Sequence, residues 1–421
     1  MLGENDSRFF KRLLASFYSG IGNVAPRGIS KREFGFGDFE RKIRYRHYSF
    51  RDEAQLRNYL AKEAPPFVSY SMAEYERPDG KPMESKGWLG ADLVFDIDAS
   101  DLKLKCRNEH PSSWVCSKCL EGAKAETTKL IEEFLIPDFG FAEKGISVNF
   151  SGNRGYHIHV EDVGAFKLGG DARKQISDYI TGNNIMLTSF FPTIGRRGVR
   201  LEGPRPSDSG WGGKLANGVI KAVNSGTSSL MDLGIEKKDA QMLTRKSAEV
   251  VLGISTGNWD KINIPKKGEF WANVLKNIAI KQSDAIDRNV STDIYHLIRL
   301  PGTIHGDTGL VAKKVRSFKA LADFDPMSEA IAFGAEQIAI RTTKVPAFTM
   351  AGTAFGPYEN AEIKLPAYAA SYLVLKGFAS LDPKKAHAAS KVEKKELTLE
   401  EKEQRARLEK FVADAEHFGQ G

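Results

Sequence analysis

The reading of this chain turns on Leu93-Val94-Phe95-Asp96-Ile97-Asp98, an apolar run that carries two acidic residues one position apart. Side chains alternate between the faces of a strand, so Asp96 and Asp98 stand side by side while Phe95 and Ile97 point to the opposite, buried face. Two carboxylates that close repel each other, and a cation between them removes the cost. Mg²⁺ and Mn²⁺ are hard cations that take such oxygen ligands. Two of them about 4 Å apart clamp an in-line displacement at phosphorus. An isolated Asp-x-Asp also fits a strand end running into a solvated turn, with Asp101 on the same acidic edge. The neighbouring motifs decide between the two.

Immediately downstream lies Cys106-x3-His110-x5-Cys116-x2-Cys119, which uses all three cysteines of the chain. Three thiolates and one imidazole complete a tetrahedral Zn²⁺ site. Four protein ligands leave no open position, so the site is structural. Glu109 or a distant histidine is the alternative to His110. An odd, clustered set argues against a disulfide framework and for a reducing compartment. Residues 121–135 then read as an amphipathic helix.

Further along, Ile146, Val148 and Phe150 alternate as a buried strand. Ser151-Gly152-Asn153-Arg154-Gly155 makes a sharp turn, and Tyr156-His157-Ile158-His159-Val160 is a second strand. Glycines let the backbone approach a phosphate, and Arg154 supplies a forked, permanent cation. His157 and His159 share a face and could form a metal pair. The preferred reading has one of them, next to Arg154, on phosphate and the other structural. A third cluster closes the pattern. Residues 286–293 read as strand and 294–299 as helix. They lead into Leu300-Pro301-Gly302-Thr303-Ile304-His305-Gly306-Asp307-Thr308-Gly309-Leu310, where Arg299 and His305 among glycines fit a polyphosphate cradle. Asp287 or Asp293 offers a third carboxylate.

At the N-terminal side, residues 6–18 have helical spacing, and residues 52–63 read as a second helix. Between them, residues 31–36 and 42–50 form a hairpin rich in cations and aromatics, suited to triphosphate or nucleic acid or simply to solvent. Residues 66–75 are extended. From about 168 to 281 the texture turns helical (171–191, 226–253, 268–281) around a Gly/Pro-rich segment. Arg196, Arg197, Arg200 and Lys214 make this part basic, which solvent explains as well as nucleic acid. Beyond Pro346 the tail reads as helical, Ala-rich at 366–380 and highly charged at 390–416.

The 421 residues, 41% hydrophobic and 27% charged, are enough for two or three packed domains. A formal net charge of +7 mildly favours a polyanionic partner. No apolar run is long enough for a membrane-spanning helix, and Met1 to Arg12 lacks the apolar core of a secretion signal.

In their fixed order, these motifs resemble the catalytic small subunit of archaeal and eukaryotic DNA primases. They are the Asp-Ile-Asp strand, the zinc knuckle, the Ser-Gly-x-Arg-Gly-x-His turn and the Arg-Leu-Pro-x-Thr-x-His-Gly-x-Thr-Gly-Leu run. Length and motif form point to an archaeal member. The resemblance spans roughly residues 5–345. It implies the archaeo-eukaryotic primase fold, an α/β (α+β) architecture with a mixed sheet and an RNA-recognition-like half. The catalytic core would comprise residues 1–167 and 282–345, with the zinc knuckle at 104–121. A mostly helical insertion would occupy 168–281 and a helical C-terminal region 346–421.

Carried over by position, Asp96, Asp98 and Asp287 match the catalytic carboxylates, the last because it lies 12 residues before Arg299. Ser151, Arg154 and His157 match the triphosphate turn, in which many relatives carry a second basic residue where this chain has Asn153. Arg299 and His305 match the last motif, and Glu33 and Arg46 match positions near the active site. The resemblance implies two-metal nucleotidyl transfer with Mg²⁺ or Mn²⁺, and structural Zn²⁺ at Cys106, His110, Cys116 and Cys119. It implies template-directed synthesis of short primers, RNA first and DNA as the further option, on single-stranded DNA during replication from nucleoside triphosphates, in a primosome with a large subunit that carries an iron–sulfur cluster. A cytoplasmic, nucleoid-associated location follows.

Three rivals share part of the pattern. Primase-polymerases and end-joining polymerase modules share Asp-x-Asp and the histidine turn, but the knuckle and helical insertion count against them. A silent docking subunit would have no use for the carboxylates. A two-metal nuclease would have no use for a triphosphate cradle.

Overall fold

Helix α1 (Glu4–Ser19) buries Phe10, Leu14 and Tyr18 at the spacing of one helical face. It is followed by β1 (Phe34–Gly37), β2 (Tyr45–Tyr48), α2 (Glu53–Glu63), β3 (Phe67–Ser71), β4 (Ala73–Tyr75), β5 (Trp88–Ala91) and β6 (Leu93–Asp98). Asp52 caps α2 by accepting from the Gln55 backbone N–H. The structure is a computed structural model that describes residues 2–183, 185–193, 199–260, 267–280 and 286–381. Arg196, Arg197 and the charged stretch 390–416 lie outside the described residues.

After the cysteine segment come α3 (Ser117–Leu130), extended by one wide helical turn at Ile131–Leu135, then β7 (Ile146–Phe150) and β8 (Gly155–Val160). The helical stretch that follows is divided into α4 (Val163–Phe166), α5 (Gly170–Ile180), α6 (Gly210–Ser225), α7 (Thr227–Met231), α8 (Lys237–Arg245), α9 (Ser247–Ser255) and α10 (Lys267–Ile280). The helical stretch expected over 226–253 is three helices, and Gly234 in a left-handed conformation (φ +76°) lies between the first two.

Two four-stranded sheets organise the molecule. The last three elements of these layers are α11 (Arg288–Thr292), β9 (Leu297–Arg299) and β10 (Lys313–Lys314). One sheet has the order β2-β1-β3-β9, the other β10-β7-β8-β6. Each ladder within them is antiparallel, so the architecture is α+β and the expected mixed sheet is not found among the described residues. In each sheet a helix carries the chain across a central strand, α2 from β2 over β1 to β3 and α3 from β6 over β8 to β7, so the strands joined by a crossover are parallel to each other but not neighbours.

Two local expectations invert. Residues 286–293, read as strand, contain helix α11, because Asp287 caps it by accepting from the Asn289 N–H at 2.9 Å. Residues 294–299, read as helix, end in β9, whose Leu297, Ile298 and Arg299 pair with Ser71, Tyr70 and Ser69. The ladder to β3 overrides local helical propensity there. The C-terminal segment is likewise not a run of helices. After α12 (Pro326–Glu329) it forms β11 (Gln337–Thr342), β12 (Lys344–Val345), β13 (Phe348–Met350), β14 (Thr353–Phe355), β15 (Tyr358–Glu359), β16 (Glu362–Pro366), α13 (Ala367–Leu375) and β17 (Ala379–Leu381). Ala351 and Gly352, at φ +53° and +70°, form the two-residue hairpin between β13 and β14. No helix among the described residues is long and apolar enough to cross a membrane.

Candidate active site and metal centre

On β6 the burial alternates as the sequence predicts, with Phe95 and Ile97 fully buried and Asp96 and Asp98 partly open. The register sets Asp96 opposite His157 and Asp98 opposite Gly155 on β8, and His157 opposite Asn149 on β7. The sheet thus has one polar face. Phe95, Ile97, Tyr156 and Ile158 form the other, against α3.

The carboxylates differ in their surroundings. Asp98 Oδ1 accepts from the Ser100 N–H and hydroxyl at 2.8 and 2.9 Å. Arg154 Nε lies 2.7 and 2.9 Å from the two Asp98 oxygens. Asp96 faces His157, whose Nε2 is 3.6 Å from Oδ1. That imidazole is neutral, because burial holds it well below the ordinary histidine range. Asp287 joins them at the free edge of β6, where its backbone N–H donates to the Asp96 carbonyl at 2.9 Å. Burial, then repulsion from Asp98 and Asp287, pushes the Asp96 carboxyl up to about 7. Asp101 is raised by burial and by Asp98. Oxygen-only donors that raise one another suit a hard divalent cation. Asp293 is elsewhere, at the end of α11, 3.9 Å from His296.

The turn between β7 and β8 meets the loop that joins β9 to β10, closed by the Ile304–Val311 bridge, beside these carboxylates. Ser151 Oγ accepts from the Asn153 and Gly155 amides at 3.3 Å, so its first role is to shape the turn. Gly152 has φ +85°, and a Cβ there would stand 2.7 Å from the His305 Cβ, so only glycine fits. Thr308 Oγ1 donates to the Gly152 carbonyl and locks the two loops together.

Arg299 is buried, donates to the Val68 carbonyl at 3.3 Å and lies over the Phe67 ring at 4.8 Å. Its Nε has no hydrogen-bond partner, and no carboxylate pairs with it among the described residues. Burial lowers it to about 10, which still leaves it charged at neutral pH. His305 is buried and neutral, and its Nδ1 accepts from the Asp307 N–H at 3.2 Å. Its proton therefore sits on Nε2, a free donor.

Glu33 and Arg46 pair, with Arg46 Nε and Nη2 at 2.9 and 3.2 Å from the two carboxylate oxygens. Glu33 is fully buried and also meets Lys86 Nζ at 3.1 Å. It therefore holds Arg46 rather than opening onto the site, and Arg46 reaches on to the Tyr295 carbonyl at 3.2 Å. His159 parts company with His157. It lines a separate cavity of about 730 Å³ together with Asn149 and Arg32, and Asp96 is not part of that wall.

The cysteine cluster is compact. Its four ligand atoms lie within 4.8 Å of one another. Cys119 Sγ is 3.5 Å from Cys106 Sγ, 3.7 Å from Cys116 Sγ and 3.4 Å from His110 Nε2. Tetrahedral Zn²⁺ with bonds of about 2.3 Å places its sulfurs about 3.8 Å apart, so the donor set fits. His110 Nδ1 faces the Pro111 carbonyl at 3.1 Å, which leaves Nε2 for the metal. Glu109 faces Lys118 at 3.1 Å and is not one of the four residues whose ligand atoms cluster. Burial and the adjoining sulfurs push the Cys119 thiol up to about 12, a cost that a bound cation removes.

The sequence profile of the DNA primase small subunit matches residues 95–317, which takes in the acidic strand, the knuckle, the glycine turn and the last loop. The chain belongs to the DNA primase small subunit family. Curated relatives agree. The DNA primase small subunit PriS of Methanothrix thermoacetophila is 34% identical over 89% of this chain and 98% of its own length. Those of Archaeoglobus fulgidus and Methanococcoides burtonii are 32% and 31% identical over the same shares. All three are archaeal, as the motifs of this primase small subunit anticipate.

Sequence reasoning missed three cations of this primase small subunit. Lys42, in the loop between β1 and β2, acts electrostatically on Asp96 and His305 and lies 3.9 Å from Asp307. Its place in the basic hairpin was the available signal. Lys86 is buried against Glu33, and Lys376 follows α13 and reaches the glycine turn. Neither had a local signal. Conversely, Lys214 is no open basic surface. It pairs with Asp138 at 2.7 Å, over the Phe134 ring.

Proposed function

We propose that this chain is the catalytic subunit of a DNA primase, a nucleotidyltransferase that joins nucleoside triphosphates into short primers on single-stranded DNA. The observation that carries the reading is one polar sheet edge on which Asp96, Asp98 and Asp287 converge, with Arg154 on Asp98 and Arg299 acting on the His157 that faces Asp96. Asp96, Asp98 and Asp287 would hold Mg²⁺ or Mn²⁺. Such ions supply the Lewis acidity that lowers the pKa of a 3′-hydroxyl and neutralises a leaving pyrophosphate. Zn²⁺ would sit at the cysteine cluster in a structural role.

The chain's own groups position the nucleotide. Arg154 is poised to exchange Asp98 for phosphate once the carboxylate has a cation. Arg299, in no ion pair among the described residues, donates from the wall of Phe67 and Val68. His305 donates through Nε2 as a neutral ring, and neutral His157 backs Asp96. Arg46, held by Glu33, faces the segment that leads to β9. Residues 1–167 and 282–345 form the catalytic part in this reading, with 168–281 as an insertion. A large subunit is the expected partner in primer initiation.

The test is unprimed synthesis on single-stranded DNA with labelled nucleoside triphosphates and Mg²⁺ or Mn²⁺. The Asp96→Asn/Asp98→Asn protein serves as the control. Short products from the wild-type chain alone, or with its large subunit, and none from the control support the reading. Loss of activity should exceed about a thousandfold, with zinc content unchanged. Equal synthesis by the control would sink the metal assignment. No synthesis under any condition, with DNA binding intact, would favour a docking subunit.

A further inference from the structure

Lys376 lies just past α13, more than two hundred residues from the glycine turn in sequence, yet its ammonium reaches that turn. Nζ donates to Asn153 Oδ1 at 2.8 Å and to the Ser113 carbonyl of the cysteine knuckle at 3.3 Å. Both acceptors are neutral, and no carboxylate pairs with Lys376 among the described residues. An ammonium has three N–H donors; two are spent on these carbonyl oxygens, and Nζ otherwise stands 5.9 Å from the centre of the Tyr372 ring. A cation withdrawn from water without a counter-charge is costly.

Lys376 is moreover set among other cations. Burial, then Arg154, lower it to about 8; Asp307 and Asp98 pull the other way, and Lys42 adds a smaller repulsion. Arg154 and Lys42 each face a carboxylate already, Asp98 and Asp307, whereas the hydrogen-bond partners of Lys376 are neutral. The knuckle holds the arrangement rigid. Trp114 is buried edge-on against Phe348, Tyr372 and Phe378, which seats α13 and the strands around it on the cysteine segment.

We propose that Lys376 binds the triphosphate held at the Ser151–Gly155 turn, as a second cation beside Arg154. The assignment rests on the proposed function, and it gives the C-terminal segment a place in the nucleotide site. A role as a neutral brace between turn and knuckle is the alternative, and glutamine separates the two. It keeps a donor for Asn153 and the Ser113 carbonyl but carries no charge.

The experiment measures binding of a nucleoside triphosphate and the matching monophosphate, with Mg²⁺, to the full chain. It compares wild type, Lys376→Gln and Lys376→Arg, with zinc content and melting temperature recorded for each. Triphosphate affinity should fall about tenfold or more in the glutamine variant and return in the arginine variant, while monophosphate affinity changes less than about twofold. A second measurement needs no variant. Triphosphate, but not monophosphate, should protect Lys376 of the wild-type protein from amine acylation, read by mass spectrometry. Wild-type triphosphate affinity in the glutamine variant, or equal labelling with and without triphosphate, overturns the assignment alone. A wild-type chain that binds no triphosphate overturns both this assignment and the proposed function.

Discussion

Asp96 and Asp98 are two residues apart and chemically identical, yet their neighbours set them to different tasks. Asp98 is already satisfied by Ser100 and Arg154, whereas Asp96 has a neutral imidazole beside it. The folded protein therefore holds Asp96 protonated up to a pH of about 7, where the unfolded chain has released that proton near 3.8. Between those values the folded state binds more protons, so the contribution of Asp96 to stability falls as pH rises. The buried histidines His157, His159 and His305 act oppositely. Their lowered values cost stability as pH falls below the ordinary histidine range.

The two effects separate through the cation. The rise in melting temperature on adding Mg²⁺ or Mn²⁺ should be small at pH 5 and grow toward pH 8, as Asp96 loses its proton. Asp96→Asn should flatten that trend. A metal-induced rise independent of pH in the wild-type protein would mean that Asp96 is not a ligand. The spacing Asp-x-Asp was legible at this scale. The unequal environments were not, because Arg154 and His157 come from another strand.

At the scale of elements, the strands that carry the chemistry were readable, because alternation on β6, β7 and β8 is a two-residue period set by the pleat. Short segments were less so. Asp287 reads as strand by composition but caps a helix, and Leu297–Arg299 becomes strand only through its ladder to β3. The knuckle was legible from spacing alone, since a tetrahedral site dictates tight Cys-x2-Cys geometry. Its connection to α13 was not. Cys116→Ser should release the bound metal, measured as zinc per chain, and lower the melting temperature. It should also weaken triphosphate binding, because the support under Lys376 loosens with Trp114. Intact nucleotide affinity in a zinc-free, folded variant would show that the knuckle and the turn are independent.

For the whole molecule, the C-terminal segment is part of the core rather than an appendage. β11 pairs with β16 and β17, and Trp114 is covered by residues of the same segment. Ending the chain after Val345 would remove both partners of β11 and uncover Trp114. Removing large buried aromatic contacts typically costs about 3–5 kcal/mol each. The shortened protein should therefore melt well below the full chain and bind extrinsic hydrophobic dye. An unchanged melting curve would mean that residues 346–381 fold apart from the rest.

Sequence by itself determined the chemistry on offer here. Two acids on one strand face, four soft ligands at metal spacing, a glycine turn with an arginine and a histidine-bearing loop are each local, because strand period and ligand geometry act over a few residues. Only the tertiary structure decided which of these meet and what each is left to do. Asp287 at the edge of β6, Gly152 against His305 and Lys376 on the turn are contacts across more than a hundred residues, and Glu33 is buried behind Arg46 across 13. Such contacts depend on burial and long-range packing, which no spacing in the chain encodes.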